Sequence, residues 1–206
     1  VEVTDTDHET RGFPPIEPID APPEMTRFMS AMRRLQDIVV SSAPDGDLWT
    51  DGARRIEDLC EQFEVHRAPQ GVAPAGRAPH LPGLGHPLVP PWTLDEYGPD
   101  GVVMRGHFSR FHVGGNNAVH GGVIPLFYDW HFGMIVSAAD RPISRTAYLH
   151  VDYRNVTPID EPLVSRGRID RIDGRKAFIT ATMTDADGTV LSEASGLMIK
   201  LLPHQP

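Results

Sequence analysis

The residues of this chain best suited to chemistry are Gly121 and Gly122, which lead into an apolar stretch, and Asp129, the one carboxylate within it. Backbone N–H groups at a helix start are unsatisfied and carry the positive end of the helix dipole. Glycines there leave the approach open, so a carbonyl oxygen could rest on those donors as in an oxyanion hole. An isolated carboxylate on a buried helix is costly, so Asp129 needs a reason to be there. A polarised carbonyl with an adjacent general base or nucleophile is the minimum for acyl transfer. Asp129 lies eight residues beyond Gly121, about 12 Å along one helix. Donor and base must each come within about 3 Å of the reacting atoms. The spacing therefore predicts that Asp129 comes from a second copy whose helix runs antiparallel, in a two-fold dimer with two identical sites. His120 could act as an acid, but positioning the glycine turn is the preferred reading. Asp129 and His131 diverge by about 200° on a helix, which argues against a shared metal ion, and none is expected.

The elements that must hold these residues can be read from periodicity. Leu126, Phe127, Trp130, Met134 and Ile135 recur at helical spacing, predicting a helix from about 119 to 139, buried on most of its surface. Thr146 to Asn155 alternates as a strand. Val164 to Ile172, Lys176 to Asp185 and Val190 to Leu201 read as a meander with turns at Asp173-Gly174 and Asp185-Ala186-Asp187-Gly188. Two further strands, Trp92 to Tyr97 and Val102 to Val113, precede the helix across Gly98-Pro99-Asp100-Gly101. Strands, one long apolar helix, then antiparallel strands favour an α+β fold in which a sheet curls around that helix.

Three regions follow from composition: an arm and helix pair over 1–67, a Pro/Gly-rich linker over 68–87, and a main domain over 88–206. Residues 1–24 read as a polar, extended arm. Met25, Phe28, Met29, Met32, Leu35, Ile38 and Val39 form an amphipathic stripe, and Ile56, Leu59, Cys60 and Phe63 mark a second helix over about 50–66. The Met stripe is read as core packing, with the pair serving as a brace on the main domain or shaping its site. The linker should run irregularly over the surface, with His80 and His86 simply solvated.

The 206 residues suit one sizeable domain with an extension. Net charge is −9, which argues against a general nucleic-acid binder. The acidity is uneven: residues 1–101 hold eight Lys/Arg against eighteen Asp/Glu, while 102–206 hold eleven against ten. An anionic ligand would therefore depend on local arginines in the second half. No apolar run is long enough to span a membrane, and a lone cysteine, Cys60, fits a reducing, cytoplasmic location.

His120-Gly121-Gly122 followed by Asp129 resembles the hotdog-fold acyl-CoA thioesterases of the phenylacetate-pathway type, and more closely their mitochondrial, thioesterase-superfamily relatives. The resemblance continues through Arg145–Tyr153, Asp173–Phe178 and Ser192–Leu201, and covers roughly residues 88 to 202. It implies a hotdog fold, a homodimer that often pairs into a homotetramer, and hydrolysis of an acyl-CoA thioester. Coenzyme A would enter as part of the substrate, with no separate cofactor. On the family pattern Asp129 is base or nucleophile and Gly121 the oxyanion donor beside Gly122. Thr146 matches a Ser/Thr that holds the attacking water. Some members carry an Asn six residues before the His; that position is Gly114 here, and Asn117 is a candidate to replace it. Arg154, Arg175 and Lys176 are candidates for the coenzyme's phosphates. Bulky Phe127, Tyr128, Trp130 and Phe132 are candidates to set acyl length. Two alternatives share the fold: an enoyl-CoA hydratase or dehydratase pairing His120 with Asp129, and a non-catalytic acyl-CoA-binding sensor.

Overall fold

In the computed structural model, residues 17–69 and 71–202 are described; the expectation for residues 1–16 of the arm falls outside them. The chain forms α1 (Pro23–Val39), α2 (Gly46–Glu64), β1 (Thr93–Gly98), β2 (Gly101–Gly106), β3 (Val113–Gly115), β4 (Ala118–Val119), α3 (Val123–Ala138), β5 (Ser144–Tyr153), β6 (Leu163–Asp173), β7 (Lys176–Thr184) and β8 (Val190–Lys200). Six strands make one antiparallel sheet in the order β1-β2-β6-β7-β8-β5. The expected turns close as hairpins, pairing Gly98 with Gly101 and Asp173 with Lys176.

The sheet wraps α3. Along β7, alternate residues Ala177, Ile179, Ala181 and Met183 are buried, as a half-covered sheet requires. From α3, Ile124, Phe127, Tyr128, Phe132, Ile135 and Val136 fill the other side of this core. Two strand glycines let the helix approach closely. A Cβ at Gly167 would stand 2.5 Å from Ile135 Cδ1, and one at Gly196 2.6 Å from the Phe132 ring. Trp92 packs at the rim against Phe127, ring centroids 4.3 Å apart, and Phe108 joins them.

Several boundaries differ from the periodicity. α3 begins at Val123, four residues later than expected, because Ala118 and Val119 are extended strand paired with Gly115 and Val113, with the Val119 N–H bonded to the Thr157 carbonyl. The stretch before it is a β-hairpin, β3–β4, with Asn116 and Asn117 at φ +50° and +57°. Two left-handed residues between paired strands mark a type I′ turn, for which Asn is well suited. The strand expected to reach Val113 stops at Gly106, where a Cβ would meet Trp92 at 2.5 Å. The chain then turns inward at the fully buried Phe108.

The N-terminal pair is built differently. α2 starts earlier than expected, at Gly46, because Asp45 caps it by accepting the Leu48 N–H at 3.1 Å. None of its residues is buried, and Trp49, Ile56 and Phe63 are about half exposed. Of the Met stripe on α1 only Met29 is buried, and Leu35, Ile38 and Val39 remain exposed, so the stripe is not the core helix face that its spacing suggested. Polar ties hold α1 instead. Arg33 donates to the carbonyls of Pro82, His86 and Val89 at 3.3, 3.0 and 3.1 Å, and Asp37 accepts the Phe111 N–H at 2.9 Å. The Pro/Gly-rich segment, expected at the surface, buries Ala78 and Leu81 under these contacts.

Candidate active site

His120, Gly121 and Gly122 form the bend between β4 and α3. The Gly122 N–H donates to His120 Nδ1 at 3.0 Å, and the Val123 N–H to the His120 carbonyl at 2.9 Å. The imidazole thus takes one of the donors that a helix start leaves open, and among the described residues the Gly121 N–H has no partner. Tyr153, at the end of β5, donates its hydroxyl to the Gly121 carbonyl at 2.6 Å and fixes the peptide plane from the far side. Gly114 lies against this bend: a Cβ there would stand 2.7 Å from His120 Cα. An Asn at 114 would collide with the backbone it is meant to assist. Asn117 has its own task in the hairpin turn, and its Oδ1 accepts from Arg110 at 3.1 Å.

Asp129 sits in the second turn of α3 towards the β5 edge of the sheet, and it is exposed in the single chain rather than buried as the apolar run suggested. Thr146 on β5 donates Oγ1–H to Asp129 Oδ1 at 2.6 Å. The two residues singled out in sequence as base and water-holder are therefore in direct contact. One carboxylate oxygen is occupied, leaving Oδ2 to take a proton.

His131, two residues on, points the other way into the core. Its Nε2–H donates to the Val102 carbonyl at 3.2 Å, while Nδ1 meets Ser165 Oγ at 3.1 Å. Burial pushes its pKa down to about 4, the Val102 bond opposing only in part, so it is neutral at physiological pH. Among the described residues no group of three His, Cys, Asp or Glu could hold a metal ion. Phe127, Tyr128 and Phe132 are wholly buried in the core and do not reach the Asp129 side. Of the aromatic residues proposed to set acyl length, only Trp130 is partly exposed.

The candidate phosphate contacts do not converge within one chain. Arg154 follows Tyr153, beside the Gly121 bend, and is paired with Glu193 at 2.7 Å and Asp152 at 3.3 Å. Glu193 first, then Asp152, raises its pKa. Arg175 and Lys176 lie at the opposite end of the sheet, where Lys176 pairs with Ile199 and Arg175 donates to the Lys200 carbonyl at 3.1 Å. Eight strand residues separate the two ends, on the order of 25 Å. Sequence reasoning missed Tyr153, Met198, whose sulfur lies 3.0 Å from Thr146 Oγ1, and Arg33. Each acts across more than thirty residues of chain, and nothing local marks it.

Residues 116–192 match the thioesterase superfamily model, a span that contains the Gly121 bend, Asp129, Thr146 and Tyr153. Over this span the chain is similar to the thioesterase superfamily, and its antiparallel sheet around one central helix is the hotdog fold of the solved thioesterase-superfamily structures. It is 36% identical to rat acyl-coenzyme A thioesterase THEM4 over 89 residues, which is 43% of this chain and 38% of that protein. The mouse protein of the same name is 34% identical over the same length. The chain spans less than two fifths of the length of these curated relatives. Among solved structures, that of the thioesterase superfamily protein RHA08564 superposes with a TM-score of 0.74 at 25% identity, covering 89% of this chain and 97% of its own. A thioesterase protein from Streptococcus pneumoniae, solved with coenzyme A, shares the fold at 16% identity with a TM-score of 0.50, over 52% of this chain and 86% of its own.

Proposed function

We propose that this protein hydrolyses acyl-CoA thioesters, with Asp129 as the base and the Gly121 N–H as the oxyanion donor. The observation that carries the reading is the Thr146–Asp129 pair, an exposed, oriented carboxylate on the helix whose start presents an unpartnered N–H. Similarity to acyl-CoA thioesterases over 89 residues, and to the thioesterase superfamily over 116–192, supports it.

The thioester carbonyl oxygen rests on the Gly121 N–H, which strengthens as negative charge develops there. Asp129 Oδ2 removes a proton from water, and the hydroxyl oxygen bonds to the carbonyl carbon. Thr146, its proton committed to Oδ1, offers lone pairs to the same water. The tetrahedral intermediate then collapses, the C–S bond breaks, and the coenzyme leaves as a thiolate. A thiol with a pKa of about 8.5 needs little acid assistance, so one base and one donor are chemically sufficient. His120 holds the Gly121–Gly122 bend in place.

The two groups come from different protomers. β5 forms one edge of the sheet; among the described residues its other side is unpaired over ten residues, with Tyr148 and Tyr153 half exposed. Such an edge is a template for another strand, and antiparallel pairing of two copies of β5 would bring the Gly121 bend of one chain towards Asp129 of the other.

The test is free-thiol release from a panel of acyl-CoAs by wild type and Asp129→Asn. Turnover should fall by about three orders of magnitude in the variant, with an unchanged melting temperature because the side chain is exposed. Turnover that survives the substitution would sink the mechanism. Mixing Asp129→Asn with Gly121→Pro, which removes the donor, should restore activity in mixed dimers. Two inactive parents that stay inactive when mixed would place both groups in one chain.

A further inference from the structure

A cavity of about 620 Å³ opens along α3 beyond Asp129. Its lining includes Leu84, Leu94, Gly133, Val136, Ser137 and Met198, and it is predominantly apolar. Two features join it to the site. Gly133 and Ser137 follow Asp129 at four-residue steps, so the three share one helix stripe. Met198, against Thr146 Oγ1, also lines the cavity. Next to Gly133 no heavy atom lies within 4 Å of where a Cβ would stand, so the channel is open against the helix. At the far end Tyr97 donates its hydroxyl to Ser137 Oγ at 2.8 Å and ties β1 to the helix. From Asp129 to that bond is about 12 Å of helix.

The outer wall comes from outside the 116–192 segment: Pro18, Gly76, Arg77, Pro79 and Leu84 close over the groove. Leu84 is held at φ +54°, ψ +26°, a left-handed conformation that side chains with a Cβ seldom adopt. Its carbonyl accepts the N–H groups of Gly76 and Ala78 at 3.0 and 3.2 Å, and the Arg33 guanidinium ties the flanking carbonyls of Pro82 and His86 to α1. A strained residue clamped this firmly, with its side chain against a cavity, marks a wall of fixed shape.

We propose that this groove is the acyl-chain site, that a straight acyl chain of medium length runs from Asp129 towards the Tyr97–Ser137 bond, and that Leu84 sets its reach. The inference rests on the thioesterase reading for its substrate but not for its test. The depth and largely apolar lining suit an alkyl chain, not an acetyl group, although Arg77, Arg141 and Arg145 also line the cavity.

The experiment uses the full chain as wild type, Ser137→Phe and Leu84→Gly. kcat/KM is measured from butyryl- to palmitoyl-CoA, and cis-parinaric acid fluorescence reports binding of an alkyl chain without hydrolysis. Ser137→Phe fills the groove and should lower the decanoyl-to-butyryl ratio about tenfold, since each excluded methylene carries a measurable share of binding. Leu84→Gly relieves the left-handed strain, so it should fold, and should move the preferred ester to longer chains. Parinaric acid should bind wild type and be displaced by decanoyl-CoA, and should lose affinity in Ser137→Phe. Hydrolysis with a chain-length profile that neither variant moves overturns this inference and leaves the thioesterase reading standing. Alkyl binding that is sensitive to Ser137, with no ester hydrolysed, overturns the thioesterase reading and supports the groove. Neither binding nor hydrolysis overturns both.

Discussion

The wrapped helix is apolar along most of its length, the two N-terminal helices of similar length are amphipathic, and the two regions are held by opposite means. α3 is gripped along its sheet-facing side: its apolar residues meet the alternating inner face of the sheet, and strand glycines let it approach closely. α1 and α2 keep much of their apolar surface exposed and are tied by Arg33, Asp37 and one aromatic stack, Phe28 on Phe63 at 5.1 Å. Close packing penalises any change in volume, so the first region is suited to holding Asp129 and the Gly121 bend in fixed geometry. Polar ties to a left-handed loop hold shape with few buried contacts, which suits a wall whose dimensions select a substrate. On the proposed reading, chemistry belongs to the first region, and selectivity to the loop that α1 ties down.

The sharpest way to break that comparison is through the core by pH. Burial holds the His131 pKa at about 4 against an ordinary 6.5, so the unfolded chain binds the proton more readily. Its contribution is complete above pH 6.5 and is lost as pH falls from 6.5 towards 4, roughly 3 kcal/mol in all. Urea unfolding between pH 7.5 and 4.5, with the His131 ring signal followed by NMR, should show stability falling while the folded ring stays neutral to about pH 5. A ring that titrates near its ordinary value in the folded protein would mean that the core is wetter than its packing implies.

Next in size is Gly196→Ala, which places a methyl 2.6 Å from Phe132 and 2.8 Å from the Tyr148 carbonyl. Overpacking of this kind should cost about 1–3 kcal/mol, read as a lower melting temperature. The matching change in the loosely held region is Gly52→Ala on α2, where a Cβ meets nothing within 4 Å. It should strengthen the helix by up to about 1 kcal/mol, visible as slower amide exchange in α2 with little movement of the main transition. If the two glycine changes shift the main transition equally and in the same direction, the regions are not as distinct as their contacts suggest.

Much of the sheet was legible because its strands obey local rules. β6, β7 and β8 lie within two residues of their expected limits, with alternation setting the faces and Asp173-Gly174 and Asp185–Gly188 setting the turns. At the candidate site Asp129 was singled out by its residue type and setting and Thr146 only through the family resemblance, and the two meet at 2.6 Å. What failed depended on partners far along the chain. The start of α3 moved because Ala118 and Val119 are held extended between β3 and the Thr157–Pro158 segment, and Phe127, Tyr128 and Phe132 turned to the core because the sheet lies on their side.

The sequence alone therefore determined an antiparallel sheet around one apolar helix, a carboxylate in that helix and a glycine bend at its start, since periodicity, turn chemistry and residue type are properties of short segments. Only the tertiary structure decided that Asp129 is exposed, that His120 spends its nitrogen on the Gly122 N–H, that Tyr153 braces Gly121, and that a proline-rich segment walls a groove along α3. Each of those is a contact between residues far apart in the chain or a consequence of which face is covered, and no local pattern encodes which distant partner arrives.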